Sequence, residues 1–488
     1  MKKLKAKIYA EKRSKNIEDF SYIISEINRI NIGLSKHQRD VFSNRTEFLY
    51  YLSNPDGTGI TFLGQKADKR FYDIAIRAHQ TDPDLSDRTT VSILVKTIKH
   101  NFQEEILKKN NKLTQALADR MISRAGRHVK TRKLKTIKYF LPCILPDDSA
   151  TDQFCIGPVI FTRTVQLLEK KKKQFNEYTA RVEKQYLDNQ IDRKEILTPS
   201  EIEKTEKDIR KFSKTSLKDL RKYYQQFPWI AEIEIFKFEE EKSMEIANLC
   251  FNTGLNILRL FFPYQSAGEI RQGSNRKGDQ KTVMLTEENG EAHISLQVRF
   301  DCGDEKGWVQ KFTSGEGGRW ISTAGSLIPH LFSGGPIPLL YQRFLNALWW
   351  YGEALVQEDV PCLKVISLTN ALEAFLGTTE GDPRKTICPQ ISKRAALLLL
   401  IQDKNEEKRI RELYGMRSAL VHGRIPAFDQ RVLNQIRWGT RIARGSLMEG
   451  LAWTLYLAQN TPPKTILEID ARFEGDLPLF SRGNIPSE

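Results

Sequence analysis

Cysteine and histidine are scarce in this chain. Its 488 residues hold six cysteines (143, 155, 250, 302, 362 and 388) and seven histidines, with no Cys-x-x-Cys, His-x-x-x-His or His-Glu-x-x-His among them. Such scatter argues against a disulfide scaffold and a cysteine-ligated structural zinc, and it asks for no metal and no other cofactor. Long apolar runs are missing too, since none approaches the roughly 18 residues of a membrane span. The opening Met1-Lys-Lys-Leu-Lys-Ala-Lys is basic but lacks the uninterrupted apolar stretch of a secretory signal. A soluble, cytoplasmic protein without a membrane partner is the expectation. Acidic residues are outnumbered, 61 Asp and Glu against 76 Lys and Arg, for a net charge of +15. An excess of that size favours a polyanionic partner, nucleic acid above all.

What is present is ordinary globular material, 40% hydrophobic and 28% charged, with length for about three domains. The fold class expected is α+β and multidomain: a mixed α/β N-terminal region with a helical arm, then an all-α, up-and-down helix bundle. Residues 1–160 read as a mixed α/β recognition or sensor region. Phe71-Tyr-Asp-Ile-Ala-Ile and Ile137-Lys-Tyr-Phe-Leu suit strands, Asn101 to Arg127 suits a helix, and Asn54-Pro-Asp-Gly-Thr-Gly59 has hairpin-turn chemistry. Arg120 to Lys138 holds eight Lys or Arg, one His and no acid. Arg120, Arg124 and Arg127 fall at i, i+4 and i+7, on one helix face able to contact phosphates.

Residues 161–226 form a charged segment without glycine between 163 and 226, with a single proline at 199. It suits a helical hairpin arm turning near Leu197-Thr-Pro-Ser200. A second α/β portion spans 227–333, with a strand at Ile230-Ala-Glu-Ile-Glu-Ile-Phe, an apolar helix from Met244 to Phe262, a loop from Arg271 to Gly278 and a strand at Ala292 to Phe300. Gly315-Glu-Gly-Gly318 lacks the Lys-Ser/Thr of a P-loop and reads as a loop. Ser333-Gly-Gly-Pro-Ile-Pro338 marks a domain boundary. The helical bundle then occupies 334–470, with helices at Leu339–Glu358, Pro361–Leu376, Gln390–Gln402, Glu406–Val421 and Phe428–Gln459. Residues 471–488 are left as a tail.

The fourth of these helices carries the candidate chemistry. Ile410, Leu413, Tyr414, Leu420 and Val421 make an apolar stripe with Arg417 in its middle, where a guanidinium needs a partner. His422 follows five residues later, about 140° around an unbroken helix. Gly423 and Pro426 end the helix there and free the histidine to swing towards the arginine. An imidazole that exchanges a proton near neutral pH, beside a guanidinium that holds a phosphate, suits RNA cleavage by the ribose 2′-hydroxyl.

Arg417-Ser-Ala-Leu-Val-His422 resembles the Arg-x(4–6)-His motif of HEPN-domain ribonucleases. The neighbouring segments resemble the Apea-like HEPN group: Leu368-Thr-Asn-Ala-Leu-Glu-Ala-Phe-Leu, Ile391-Ser-Lys-Arg-Ala-Ala-Leu-Leu-Leu-Leu, and Ile410-Arg-Glu-Leu-Tyr-Gly-Met-Arg-Ser-Ala-Leu-Val-His-Gly. The likeness covers about residues 339–460. It implies a metal-independent endoribonuclease built as a homodimer of bundles, leaving a cyclic phosphate end, with Arg417 and His422 as the catalytic pair. It also implies RNA as the partner, tRNA among the targets, a setting in antiphage defence by abortive infection or as a toxin, and a phage-derived trigger or an antitoxin as further partners. Ser418 stands where relatives often carry Asn, Asp or His, and is the expected supporting group. Glu373, on the flank of the second helix's apolar stripe, is the candidate to pair with Arg417 and orient it. Lys393, Arg394 and Arg424 are candidates for substrate phosphates, together with Arg120, Arg124 and Arg127. The alternative to a nuclease is a non-catalytic HEPN scaffold or nucleic-acid-binding protein.

Overall fold

The computed structural model describes the chain apart from residues 1, 36–48, 54–59, 132–135, 147, 149, most of 173–220, 237, 263–266, 274–280, 289–290, 299–306, 334–336, 357–359, 378–382, 402–403, 461 and 481–488. For some described positions, chiefly 2–10, 33–35, 281–298 and 383–387, it describes the backbone alone. The described chain is mostly helical with a small antiparallel sheet, and no helix among the described residues is long and apolar enough to cross a membrane. Two compact units result: residues 1–137 with 235–246, and residues 138–234 with 247–488.

The first unit is built on α1 (Lys2–Ser35), α2 (Gln65–Thr81), α3 (Pro83–Arg88), α4 (Val91–Phe102) and α5 (Gln115–Thr131). Helix α1 places Phe20, Ile23, Ile27 and Ile30 at helical spacing, and all four are buried. Phe20 stacks on Phe102 at 5.8 Å, and Phe71 meets Phe102 edge-on at 5.3 Å. Strands β1 (Leu49–Ser53) and β2 (Ile60–Gly64) pair antiparallel with Ser53 opposite Ile60, as the turn chemistry between them asks; residues 54–59 themselves lie outside the described set. The segment Phe71–Ile76, expected as a strand, lies inside α2. Its buried residues Ala67, Asp68, Phe71, Ile74 and Ala75 recur with the helical period and not with that of a pleat. The helix expected from Asn101 to Arg127 is interrupted. Helix α4 passes into a π-helical turn at Gln103–Lys108, and Asn110 takes a φ of 53° before α5 begins.

In the second unit, β3 (Ile137–Ile144), β4 (Gln153–Ile156), β5 (Val159–Arg163), β6 (Trp229–Ile235) and β7 (Arg271–Gln272) form one sheet in the order β4-β5-β6-β3-β7. Residue pairs Phe161–Ala231 and Cys143–Gln272 set part of its register. Arg271 and Gln272, expected in a loop, are thus an edge strand. Trp229 and Trp308 are fully buried, and both indole N–H groups donate to the carbonyl of Pro146 at 3.0 Å. Helix α6 (Glu240–Phe261) follows β6. Strands β8 (Lys281–Glu288) and β9 (Glu291–Val298) pair as a separate hairpin, and α7 (Trp308–Thr313) and α8 (Gly315–Gly325) precede the bundle. The glycine cluster 315–318 is therefore the first turn of α8 and not a loop. Gly315 supplies a φ of 60°, and a side chain at Gly318 would strike the Thr313 carbonyl.

The bundle comprises α9 (Leu339–Val356), α10 (Pro361–Leu376), α11 (Pro383–Leu398), α12 (Lys404–Val421), α13 (Gln430–Asn460), α14 (Ile466–Gly475) and a last turn, α15 (Leu477–Phe480). Proline opens α10, where its missing N–H is unused. The boundary expected at 333–338 does not divide the protein. Nearly all of the sheet, α6 from Ala247 onward and the bundle belong to one compact unit, in which the Arg444 guanidinium donates to the carbonyls of Leu260 and Phe261 at 2.7 and 3.0 Å. Nor is the boundary at 160 observed, since β3, β4 and β5 share a sheet with β6. The tail expected from 471 starts inside α14, whose Ile469 and Phe473 are fully buried. The arm expected at 161–226 lies largely outside the described residues.

Candidate functional site

Helix α12 carries acidic residues in its first turn and ends as the glycine and proline predict. Gly423 adopts φ 66°, its N–H bonds to the Leu420 carbonyl at 3.1 Å, and the Arg424 N–H reaches back to Ala419 at 2.8 Å. This pair of bonds is a Schellman motif, and it puts His422 at the last helical junction. The histidine is exposed, and its side chain makes no hydrogen bond or ion pair among the described residues. The second half of α12 stands partly out of the core. Only Ile410 and Leu413 are buried, Leu420 is half-buried and Val421 is 55% exposed, so the apolar stripe expected to run to Val421 is covered only at its beginning.

Arg417 is half-buried rather than sunk into the bundle, and α10 supplies its partners. Its Nη2 lies 3.8 Å from Glu373 Oε2 and donates to Asn370 Oδ1 at 3.5 Å. Tyr414 donates its hydroxyl to the same Glu373 oxygen at 2.8 Å, and its ring lies 5.7 Å from the guanidinium carbon. Asn370 and Glu373 are one helical turn apart on α10, as Tyr414 and Arg417 are on α12, so two i, i+3 pairs face each other. Burial first, and then the hydrogen bond to the Glu373 carboxylate, push the Tyr414 hydroxyl far above its ordinary pKa, so it stays a donor. The Arg417 Nε is buried and has no hydrogen-bond partner among the described residues. One edge of the guanidinium is thereby held, and the side chain stays 31% exposed.

The expected pairing of Glu373 with Arg417 is present. Asn370 and Tyr414 were not anticipated as members of the site; Tyr414 reads as one more apolar position, although its i−3 spacing from Arg417 was a usable signal. Ser418 is half-buried, and its carbonyl accepts the His422 N–H at 3.1 Å. Arg424 is exposed just past the helix end.

Arg394 is not available to a substrate phosphate. It is 1% exposed, donates to the Leu376 carbonyl at 2.7 Å, is ion-paired to Asp470 and, at 3.3 Å, to Glu474, and lies 4.4 Å from the Phe473 ring centre. This cation ties α14 to α10 and α11. Lys393 remains exposed and pairs with Glu474 at 3.0 Å. In the other unit, α5 carries Arg120, Arg124 and Arg127 exposed, while its Leu117, Met121 and Val129 are buried. Arg124 is 3.3 Å from Glu105, whereas Arg127 lines a cavity. No three His, Cys, Asp or Glu side chains meet in a metal-binding cluster among the described residues. No family model, curated protein or solved structure matches the chain.

Proposed function

We propose that the chain is a HEPN endoribonuclease that cleaves RNA through the RNA's own 2′-hydroxyl. The observation that carries this reading is the oriented arginine: Arg417 held by Glu373 and Asn370, with its side chain still 31% exposed, five residues before an exposed histidine at a glycine-capped helix end. His422 takes the proton from the 2′-hydroxyl, whose oxygen attacks the adjacent phosphorus and expels the 5′-oxygen, which takes up a proton from an imidazolium of the cleft and leaves as a hydroxyl. A 2′,3′-cyclic phosphate remains. Arg417 neutralises charge on the non-bridging oxygens as it builds. The partly uncovered end of the bundle, with Val421 55%, Phe428 89% and Leu433 45% exposed, is apolar surface that a second copy would cover. A homodimer paired there would bring two Arg–His motifs to one cleft. The resemblance to Apea-like HEPN proteins supplies the setting: antiphage defence by abortive infection, tRNA as a target, a phage-derived trigger or an antitoxin, and the N-terminal region as sensor or substrate selector.

One observation favours a second reading, a non-catalytic scaffold or nucleic-acid binder: within a single chain the His422 ring makes no hydrogen bond to Arg417. Incubating total RNA with wild type, Arg417→Ala and His422→Ala in the presence of a chelator separates the two. On the nuclease reading each variant slows cleavage by about 100-fold or more, and the wild-type products carry cyclic phosphate ends. Equal RNA decay in all three would refute it. Salt-sensitive RNA binding that survives both substitutions without any cleavage would establish the scaffold.

A further inference from the structure

The N-terminal unit contains a cavity of about 330 Å³ between α1, the end of α2 and α5. That volume matches the lower end of small-molecule sites, room for one nucleotide-sized ligand. Five cationic side chains line it against two carboxylates. Their placement is uneven in a useful way. Asp119 holds Arg13, and Asp82 holds Lys130 at 2.7 Å, so the two acids fix two of the cations at the rim. Arg13 and Lys130 stay 46% and 34% exposed, and ion pairs that wet are weak enough to be shared with an incoming anion. Lys12 donates only to the Thr81 hydroxyl, at 3.3 Å, and pairs with no carboxylate among the described residues. Arg77 is braced from behind by Asn16 at 2.8 Å and by Asp19, which is 1% exposed and also holds Arg70.

The rest of the lining has the opposite character. Leu85 and Ile122 give an apolar wall, Ser123 adds a hydroxyl, and Gly126 leaves the floor open in mid-helix, where a Cβ would come within 3.3 Å of Leu85. A glycine inside a helix costs about 1 kcal/mol relative to alanine, so its use here goes with the close approach of α5 to Leu85. Cations on one side, an apolar wall on another and carboxylates that accept from hydroxyls match the parts of a nucleotide: phosphate, base and ribose.

We propose that this cavity is a binding site for a small phosphorylated molecule of the nucleoside-phosphate class. The site belongs wholly to the N-terminal unit and stands independently of the ribonuclease reading. It gives that unit a ligand that meets Lys12 and Arg127 through its phosphates.

The test is equilibrium binding to the full chain, with ADP, GDP, CDP and UDP as probes and adenosine and inorganic pyrophosphate as separate arms. One saturable site per chain for at least one diphosphate is expected, with pyrophosphate binding and adenosine much weaker. Lys12→Ala and Arg127→Ala, both at exposed or half-exposed positions, should each weaken it about tenfold. Ser123→Trp should fill the cavity and abolish binding, while His422→Ala should leave it unchanged. The unfolding midpoints of these variants should match wild type. Failure of every diphosphate to saturate would overturn the proposal, as would binding that survives Ser123→Trp or adenosine binding as tightly as ADP. So would a single-stranded RNA oligonucleotide taking these residues while no nucleotide does.

Discussion

Replacing Arg394 by methionine tests whether this cation is a structural tie or a substrate contact. Methionine keeps an unbranched apolar stem of similar length but removes the charge. What is lost is the charge-assisted bond to the Leu376 carbonyl at 2.7 Å, the position 4.4 Å from the Phe473 ring and the two ion pairs to α14. Asp470 and Glu474 are 35% and 49% exposed, so both rehydrate when abandoned and their pairs contribute little. The buried carbonyl has no such recourse. The arginine's own Nε is buried without a partner among the described residues, and removing it offsets part of the loss. The net weakening of the attachment of α14 is about 3 kcal/mol. Amide hydrogen exchange followed by mass spectrometry reads that attachment locally, without assuming that a chain of this size unfolds in one step. Peptides covering 466–475 should exchange about 100-fold faster in the variant, tenfold for each 1.4 kcal/mol. Protection unchanged in α14 combined with a loss of RNA affinity would refute the reasoning and return Arg394 to the substrate.

Asp148 is fully buried. Burial alone would raise its carboxyl, but backbone N–H groups of Gly307, Val309 and Ala150 outweigh that and hold it below the ordinary carboxylate range. A depressed folded-state pKa adds stability above the unfolded value and loses it as pH falls through the folded one. Asp148→Asn should therefore cost about 1–3 kcal/mol at neutral pH, with the gap to wild type in denaturant titrations closing below about pH 4. Gly423→Ala forces a side chain into φ 66° and should cost about 1 kcal/mol in thermal unfolding, with Gly423→Asn milder; on the proposed nuclease reading, RNA cleavage falls in both. A Cβ at Gly450 would lie inside the van der Waals envelope of the Phe375 ring, which is 1% exposed, so Gly450→Ala should destabilise the α10–α13 contact by about 1–3 kcal/mol in the same assay.

The helices of the bundle were legible because their ends are written locally. Pro361 opens α10, Gly423 closes α12, and the expected limits of α12 and α13 fall within about two residues of those observed. Helix α11, by contrast, runs Pro383–Leu398 and not Gln390–Gln402, because Pro383 reads as part of a break and the interior Pro389 as a helix limit. Sheet order was not legible, because its pairings join residues near 143, 161, 231 and 271, and no local pattern states which strand lies beside which. The strand expected at Phe71–Ile76 failed for a related reason. Six residues rich in Phe, Tyr and Ile satisfy a strand pattern in isolation, and only the flanking Ala67 and Asp68 restore the helical period of the buried face. Arg394 was misjudged because the groups that consume it, Asp470 and Glu474, lie 76 and 80 residues further on.

The candidate site divides along the same line, and the division has a mechanistic consequence. His422 is placed by its own neighbours in the chain, through two backbone bonds that any glycine-ended helix can make. Arg417 is placed by a different helix, through Glu373 and Asn370, so its aim depends on how α10 packs. A change that tilts α12 against α10 alters the arginine and leaves the histidine's cap intact. The covered half of α12, at Ile410 and Leu413, anchors that packing, while its exposed half meets whatever covers Val421. On the proposed pairing of two copies, a partner seated on the exposed half would act on the arginine through the helix itself, setting the site as well as completing it.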